Sequence, residues 1–296
     1  MDVLSDILKT LHLRAKVYLH ACYRGDWALD SSGEYTATFH MVGRGGCWLH
    51  MPDGSEPIAL GSGDLVVFPH DAEHTLSNSE HPPSEDFPRN QIPGPEATGP
   101  GVNVICGYFE FERHSRNPLI SALPEVIVIH NEVSANVPLM DTLGRLLNYE
   151  VVMEQQGSSL LIDKLSEILF VHVIRSYMRT CDDHGFIAAL ADAQIGKALS
   201  GIHEKPGNAW SVEVLAKAAG MSRSAFAERF SRLVDMSPMQ YLTHWRMTQA
   251  NKKFLNTEQS VAQVAEQYGY QSEVAFAKAF KKYFGYGPGQ ARRRSI

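Results

Sequence analysis

Apolar residues recur along this chain with two different periods, and the change from one to the other divides it. Up to about residue 131 they come in short β-branched or aromatic runs: "EYTATFHMV", "GGCWLHM", "DLVVFP", "VNVICGYFEFE" and "EVIVIH". Clusters of Gly, Pro, Asp and Ser separate the runs, so each predicts a short strand. "PDGSEP" carries the Pro and Asp-Gly chemistry of a turn. Short strands at regular spacing predict a small barrel or sandwich. The stretch from Glu80 to Gly101, "EHPPSEDFPRNQIPGPEATGPG", is rich in Pro and Gly, and predicts a long mobile loop inside this region because strand-like sequence resumes after it.

From about residue 137 the spacing changes to three and four. "LMDTLGRLLNYEVVMEQQ" and "SSLLIDKLSEILFVHVIRSYMRT" predict two helices. Leu161, Leu165, Ile168, Leu169 and His172 form one stripe on the second. Such a stripe serves either packing within its own domain or an interface between two copies, and the pattern admits both. From Ile187 onward every segment is helical in pattern, joined by "EKPGNA", "DMSP", "NTEQS" and "GYGPG". The domain boundaries expected are therefore 1–131, 132–186 and 187–296.

The last region contains a repeat. Ala216 and Gly220 recur as Ala265 and Gly269, an offset of 49, and Ser222, Phe226 and Phe230 recur as Ser272, Phe276 and Phe280, an offset of 50. A helix-turn-helix demands these residue types. Its first helix must approach the second closely, which favours Ala at the contact. The turn needs a residue tolerant of positive φ, which favours Gly. A Ser can then cap the second helix, and Phe at i and i+4 anchors it. Two recognition helices about 34 Å apart would enter successive major grooves on one face of double-stranded DNA. With the phenylalanines inward, Arg223, Ser224, Ala227 and Glu228 face outward on the first, and Glu273, Val274, Ala277, Lys278 and Lys281 on the second. Lysines can reach guanine or phosphate, glutamates can accept from cytosine, and small or apolar side chains can meet a thymine methyl. Ser222 and Ser272 stand at the start of each candidate reading surface.

Charge supports this division. Net charge is −6 overall, yet residues 187–296 hold 15 Lys and Arg against 8 Asp and Glu, while the remainder holds 12 against 25. A basic module on an acidic body points to a polyanion as the partner of one part only. Hydrophobic content of 44% and charged content of 20% are those of a globular protein. The start of the chain has neither a signal-peptide pattern nor an apolar run of about 18 residues, so a cytoplasmic protein with no membrane partner is expected. Cys22, Cys47, Cys106 and Cys181 form no CxxC pair, which argues against a zinc ribbon or disulfide scaffold.

The repeat also carries a family resemblance. "SVEVLAKAAGMSRSAFAERF", "PMQYLTHWRMTQANKKF" and "VAQVAEQYGYQSEVAFAKAFKKYFGYGPGQARR" resemble the DNA-binding domain of AraC/XylS-type transcription regulators across residues 196–295. One position departs, Ala291, where the family usually has Tyr. "LGSGDLVVFPHDAEHTLS" and "YTATFHMVGRGGCWLHM" resemble the cupin motifs borne by one branch of these regulators, with His40 in place of the usual His-x-His pair. The resemblance implies a multidomain α+β chain: an N-terminal cupin-like β-barrel, a helical linker and a C-terminal all-α domain with two helix-turn-helix units. It implies promoter DNA and RNA polymerase as partners, and a small-molecule, metal or oxidant effector.

Two chemistries are open for sensing. His40 and His74 occupy the places of cupin metal ligands, with His50, His70, Glu73 or a cysteine as substitutes for the missing ones, so a divalent metal is one candidate and a hydrogen-bonded histidine pair the other. Cys22 and Cys106 are candidate redox thiols if the fold brings them together, and otherwise plain buried cysteines. The function expected is a sequence-specific transcription regulator, with no enzymatic activity. The alternatives are a metal-dependent cupin dioxygenase or isomerase with a helical tail, and a nucleoid-type binder without a sensor. A homodimer would use the striped helix.

Overall fold

The strand-like runs form two antiparallel sheets in the computed structural model, which describes residues 2–11, 13–31, 37–91, 101–111, 117–131, 138–180 and 185–291. The strands are β1 (Arg14–Tyr23), β2 (Ala28–Ser31), β3 (Ala37–Arg44), β4 (Cys47–His50), β5 (Ile58–Leu60), β6 (Leu65–Phe68), β7 (His74–Ser77), β8 (Val102–Glu110) and β9 (Ile127–Ile129). One sheet has the order β1-β8-β3-β6-β9 and the other β2-β7-β4-β5. The expected barrel does not form. Neither sheet closes: β1 and β9 are edges of the first, β2 and β5 of the second. Strand length accounts for this, since β5 and β9 have three residues and β2, β4, β6 and β7 four. Ladders that short cannot carry the staggered register a closed barrel requires.

Inward side chains of both sheets build one core, including Tyr23, Val42, Leu49, Phe68, Leu76 and Val104. The five-stranded sheet is also covered on its other face. Residues Ala37 to Val42 of β3 are buried one after another, as a central strand with two covered faces must be. Phe39 lies 4.8 Å from Phe109, which lies 4.9 Å from Phe170 of a helix, measured between ring centres. That helix is α4 (Ser158–Thr180), preceded by α3 (Pro138–Met153). Gly107 pairs with Phe39, and a Cβ there would come within 2.3 Å of the Phe39 ring, so only glycine fits.

Part of the expected mobile loop is anchored. Ala28 N–H donates to Pro88 O at 2.8 Å and Asn90 N–H to Ala28 O at 2.8 Å, and Arg89 pairs with Asp30 at 2.6 Å. These residues line the edge of β2 and cover its unpaired groups. Residues 92–100 of the loop lie outside the described residues.

The chain divides into two compact units: Leu13–Phe111 with Leu123–Arg179, and Met1–His12, Glu112–Ala122 and Thr180–Ile296. The second contains α1 (Val3–Leu8), α2 (Pro118–Ser121), α5 (Gly185–Ala191), α6 (Ile195–Glu204), α7 (Val212–Ala219), α8 (Arg223–Val234), α9 (Pro238–Asn256), α10 (Val261–Gln267), α11 (Glu273–Phe284) and α12 (Pro288–Ala291). Helix α1 packs on α6 with Ile7 and Leu11 each 2% exposed, and Lys252 Nζ donates to Lys9 O at 3.3 Å. Among the described residues no helix is long and apolar enough to cross a membrane.

Both helix-turn-helix units form by the same local rules. Ser211 caps α7 and Ser260 caps α10, the latter with a capping box through Gln263. Each first helix ends where Met221 N–H donates to Ala216 O, or Tyr270 N–H to Ala265 O, both at 2.9 Å. These six-to-one bonds are Schellman closures and need a left-handed residue, supplied by Gly220 (φ 68°) and Gly269 (φ 77°). The long α9 starts in a capping box of Ser237 and Gln240 with Pro238 at its first position. Ala291 is 1% exposed in the core with Phe276, Phe280 and Tyr286.

The two glycines differ in one respect. A Cβ at Gly220 would meet nothing within 4 Å, whereas at Gly269 it would lie 2.4 Å from Gly207 O. Gly220→Ala should therefore cost about 1–2 kcal/mol, the left-handed penalty alone. Gly269→Ala should cost a further 1–3 kcal/mol or so from the backbone overlap. Denaturant unfolding of the two variants checks this; equal losses would contradict the backbone contact.

Candidate nucleic-acid interface and a buried histidine pair

The recognition helices α8 and α11 begin at Ser222 and Ser272, whose hydroxyls accept from Ala225 N–H at 3.3 Å and Ala275 N–H at 3.2 Å. Phe226, Phe230, Phe276 and Phe280 are all 0% exposed. From Ser222 to Arg232 and from Ser272 to Lys282 the classes of buried, half-buried and exposed residues coincide at every position. Arg223, Ser224 and Glu228 are exposed with Ala227 half-buried beside them; Glu273, Val274, Lys278 and Lys281 are exposed with Ala277 half-buried. Val274 is 79% exposed, an apolar side chain held out at the start of its helix. Arg223 pairs with Glu213 at 2.7 Å, both side chains more than half exposed, so the pair is weak and Arg223 can exchange partners.

Another arginine of α8 has a different place. Arg229 reaches the carboxylate of Asp192 and, at 3.2 Å, Gln194, which ties the helix to the start of α6. Burial alone would raise the Asp192 carboxyl, but N–H donation from Ile195 and Gln194 and the Arg229 guanidinium hold it below its ordinary value. Sequence periodicity did not single out Arg229, because its partner lies 37 residues away.

In the sheet unit the structure brings His40 and His74 together, Nε2 to Nε2 at 2.7 Å. They come from different sheets, His40 from β3 and His74 from β7. His74 Nδ1 lies 2.7 Å from Ala72 O. A carbonyl only accepts, so Nδ1 carries the proton and Nε2 of His74 is the acceptor. His40 therefore donates from Nε2, and its Nδ1 is buried with no hydrogen-bond partner. Phe68 stacks on His74 at 3.5 Å between ring centres. Burial lowers both imidazoles, His74 to about 4 against the opposing pull of the Ala72 carbonyl, Asp71 and Asp30, and His40 well below its usual value with His74 adding to the effect.

The candidate substitutes lie elsewhere. His50 Nε2 sits 2.9 Å from Ser77 Oγ and 3.0 Å from Ser79 O; His70 bonds Leu123 O at 3.0 Å; Glu73 is exposed. Among the described residues no group of three or more His, Cys, Asp or Glu is placed to hold a metal ion. The donor set of a cupin metal centre, three His and a carboxylate, is thus not matched by the two imidazoles that meet. Cys22 is exposed on β1 opposite Asn103, and Cys106 is buried on β8 opposite Leu19. Three residues of ladder, about 10 Å, separate them, more than a disulfide spans. Burial pushes the Cys106 thiol up, and the Cys47 thiol up to about 12. Cys181 lies outside the described residues.

A buried neutral imidazole sets a direction for pH dependence. In the unfolded chain His74 gains a proton near pH 6.5, whereas in the folded protein it resists down to about 4. Between those values the unfolded state binds more protons, so stability present above about pH 6.5 falls as pH drops towards 4. His203 and His244, lowered by burial to about 3 and about 4, act the same way in the helical unit. Acidifying from pH 7 to 5 should remove up to about 2 kcal/mol per such histidine. Thermal unfolding against pH checks it, with His74→Gln giving a shallower acid slope than the parent.

Comparison with known proteins agrees with this arrangement. A family model described as Cupin matches residues 2–179, and a helix-turn-helix domain model matches residues 215–294. A putative AraC-like transcription regulator of Streptomyces antibioticus is 32% identical over 307 residues, covering 100% of each chain. The HTH-type transcriptional regulator AlkR of Acinetobacter baylyi is 31% identical over 311 residues, again covering 100% of each. Among solved structures, the DNA-binding domain of AdpA in complex with a target DNA aligns at 31% identity with a TM-score of 0.33, over 35% of this chain and 92% of that one. With full-length relatives of this kind and a cupin match over more than half its length, the chain belongs to the AraC-type transcription regulators: it is a DNA-binding regulator that joins a cupin-like sensing domain to a helix-turn-helix domain.

Proposed function

We propose that α8 and α11 read one promoter site in successive major grooves, α8 through Arg223, Ser224, Ala227 and Glu228, and α11 through Glu273, Val274, Ala277, Lys278 and Lys281. The observation that carries this reading is the coincidence of exposure along Ser222–Arg232 and Ser272–Lys282, which turns the same face outward in both helices. The faces differ in chemistry. Glu228 on α8 has Lys278 as its counterpart on α11, and Ser224 has Val274, so the two half-sites should differ in sequence. RNA polymerase is the partner at the promoter, and a small molecule or oxidant received by the cupin-like domain is the signal. On DNA selected by the wild-type chain, Arg223→Ala should relax base preference in one half-site and Val274→Ser in the other, each by about 1–3 kcal/mol. Relaxation of both halves by either variant would contradict the assignment.

The active form is read as a homodimer paired through α4. Leu161 and Ile168 are 49% and 45% exposed on its outer face, with Leu165 and His172 half-buried in line with them, while Leu169 is 2% exposed and belongs to the unit's own core. The spacing of four, three and four among these outer residues is that of a helix-to-helix seam. Sedimentation should show a dimer that Leu161→Asp with Ile168→Asp converts to monomer while melting stays cooperative; a double variant that remains dimeric rules this surface out.

A further inference from the structure

One arginine of α9 bridges the two helix-turn-helix units. Arg246 donates from Nε to Pro206 O at 2.7 Å and from Nη2 to Asn208 O at 2.8 Å. Its guanidinium carbon lies 5.9 Å from the centre of the Tyr270 ring. Pro206 and Asn208 belong to the loop between α6 and α7, which leads into the first unit. Tyr270 lies in the turn of the second unit, two residues before the cap Ser272, and stands edge-on to Phe276 at 5.3 Å. The two segments also meet directly. A Cβ at Gly207 would lie 2.3 Å from Gln267 O, and one at Gly269 would lie 2.4 Å from Gly207 O and 3.0 Å from Arg246 Nη2.

We infer that Arg246 is a positioning residue for DNA reading: it clamps the entry loop of the first helix-turn-helix to the turn of the second, and so fixes the spacing and phase at which the two recognition helices meet DNA. The inference rests on the two-groove reading above. Two of its donors already point at main-chain carbonyls and the side chain is half-buried, so its chemistry is turned inward. A guanidinium fork can hold two carbonyls at fixed angles, whereas an ammonium supplies a point charge without that geometry. Two reading heads joined rigidly act at high effective concentration on a correctly spaced site, and loosening the joint lowers that concentration without touching either head. Rigid joining also makes the protein intolerant of altered spacing, because one inserted base pair turns the second half-site by about 35°.

The test uses the full chain and DNA obtained by in vitro selection on the wild-type protein. Binding is measured on the selected site, on versions with one base pair inserted or removed between the halves, and on each half alone. Wild type should lose roughly tenfold or more on the altered spacings. Arg246→Lys should bind the selected site roughly tenfold more weakly, each isolated half within about twofold of wild type, and should show a flattened dependence on spacing. Gly207→Ala, which displaces the same loop with Arg246 intact, should flatten it too. A lysine variant whose spacing profile matches wild type overturns the role of Arg246 alone. So does a loss of equal size on the halves and the whole, which would mark Arg246 as a local support or a direct phosphate contact. A wild-type protein indifferent to spacing overturns the two-groove reading and this role with it.

Discussion

What the helical unit shows to the outside follows from what two pairs of phenylalanines do inside it. An α-helix has one free rotation about its axis once its position is set. Two large side chains at i and i+4 remove that freedom, because both must enter the same apolar space. Phe226 with Phe230, and Phe276 with Phe280, are fully buried, and a turn of α8 or α11 by one residue would put alanine in place of one phenylalanine of each pair and alanine, serine or a charged residue in place of the other. The outward face is thereby determined before any contact with DNA. Its chemistry is left free to differ between the helices, which is why Val274 can stand exposed where its counterpart is Ser224.

Rotation within each unit would be of little use if the units moved freely against each other, and α9 supplies that second constraint. Its 19 residues make a rod about 28 Å long. Tyr241 and Trp245 pack with His203 and Phe230 on one side of the repeat, and Met247, Ala250 and Phe254 enter the core of the other. Polar bonds run outward from the same rod: His203 Nε2 and Tyr241 OH at 2.8 Å towards α6, His244 with Tyr283 OH towards α11, and the Arg246 fork towards the loop before α7. Apolar packing alone allows small slips at little cost. Directed hydrogen bonds at several points along one rigid helix do not.

The parts legible in the sequence are those determined within a few turns of chain. The Ala, Gly, Ser and Phe positions of each helix-turn-helix lie within 16 residues of one another, and capping, left-handed φ and i,i+4 packing are local rules. The sheet unit was legible only as strands. Alternation tells which side chains face inward, but not which strands are edges, so a barrel and a pair of open sheets have the same pattern. Cys22 and Cys106 illustrate the gap: both lie on neighbouring strands, yet the register puts Asn103 and Leu19 opposite them. Arg229 and Arg246 were passed over because their partners, Asp192, Pro206 and Asn208, are distant in sequence and two of those partners are main-chain carbonyls. The one available signal was an arginine between Trp245 and Met247 on a helix otherwise apolar at those positions.

The interior polar groups share a further property with consequences for both units. His40 with His74, His203 with Tyr241, and His244 with Tyr283 are hydrogen bonds between uncharged partners, with every imidazole lowered by burial. A buried ion pair at those places would have carried a desolvation penalty of several kcal/mol per ion. A neutral pair carries much less and keeps its direction. Such a bond contributes only about 1 kcal/mol, but leaving its donor or acceptor unpaired costs about 1–3 kcal/mol. It therefore acts more against wrong arrangements than in favour of the right one. Between the two sheets, where the contacts around Phe68 are otherwise apolar and tolerant of sliding, the His40–His74 bond is satisfied in one register only. No full charge is held at those three places, whereas Arg223, Lys278 and Lys281 stand exposed, where the DNA proposed above would meet them.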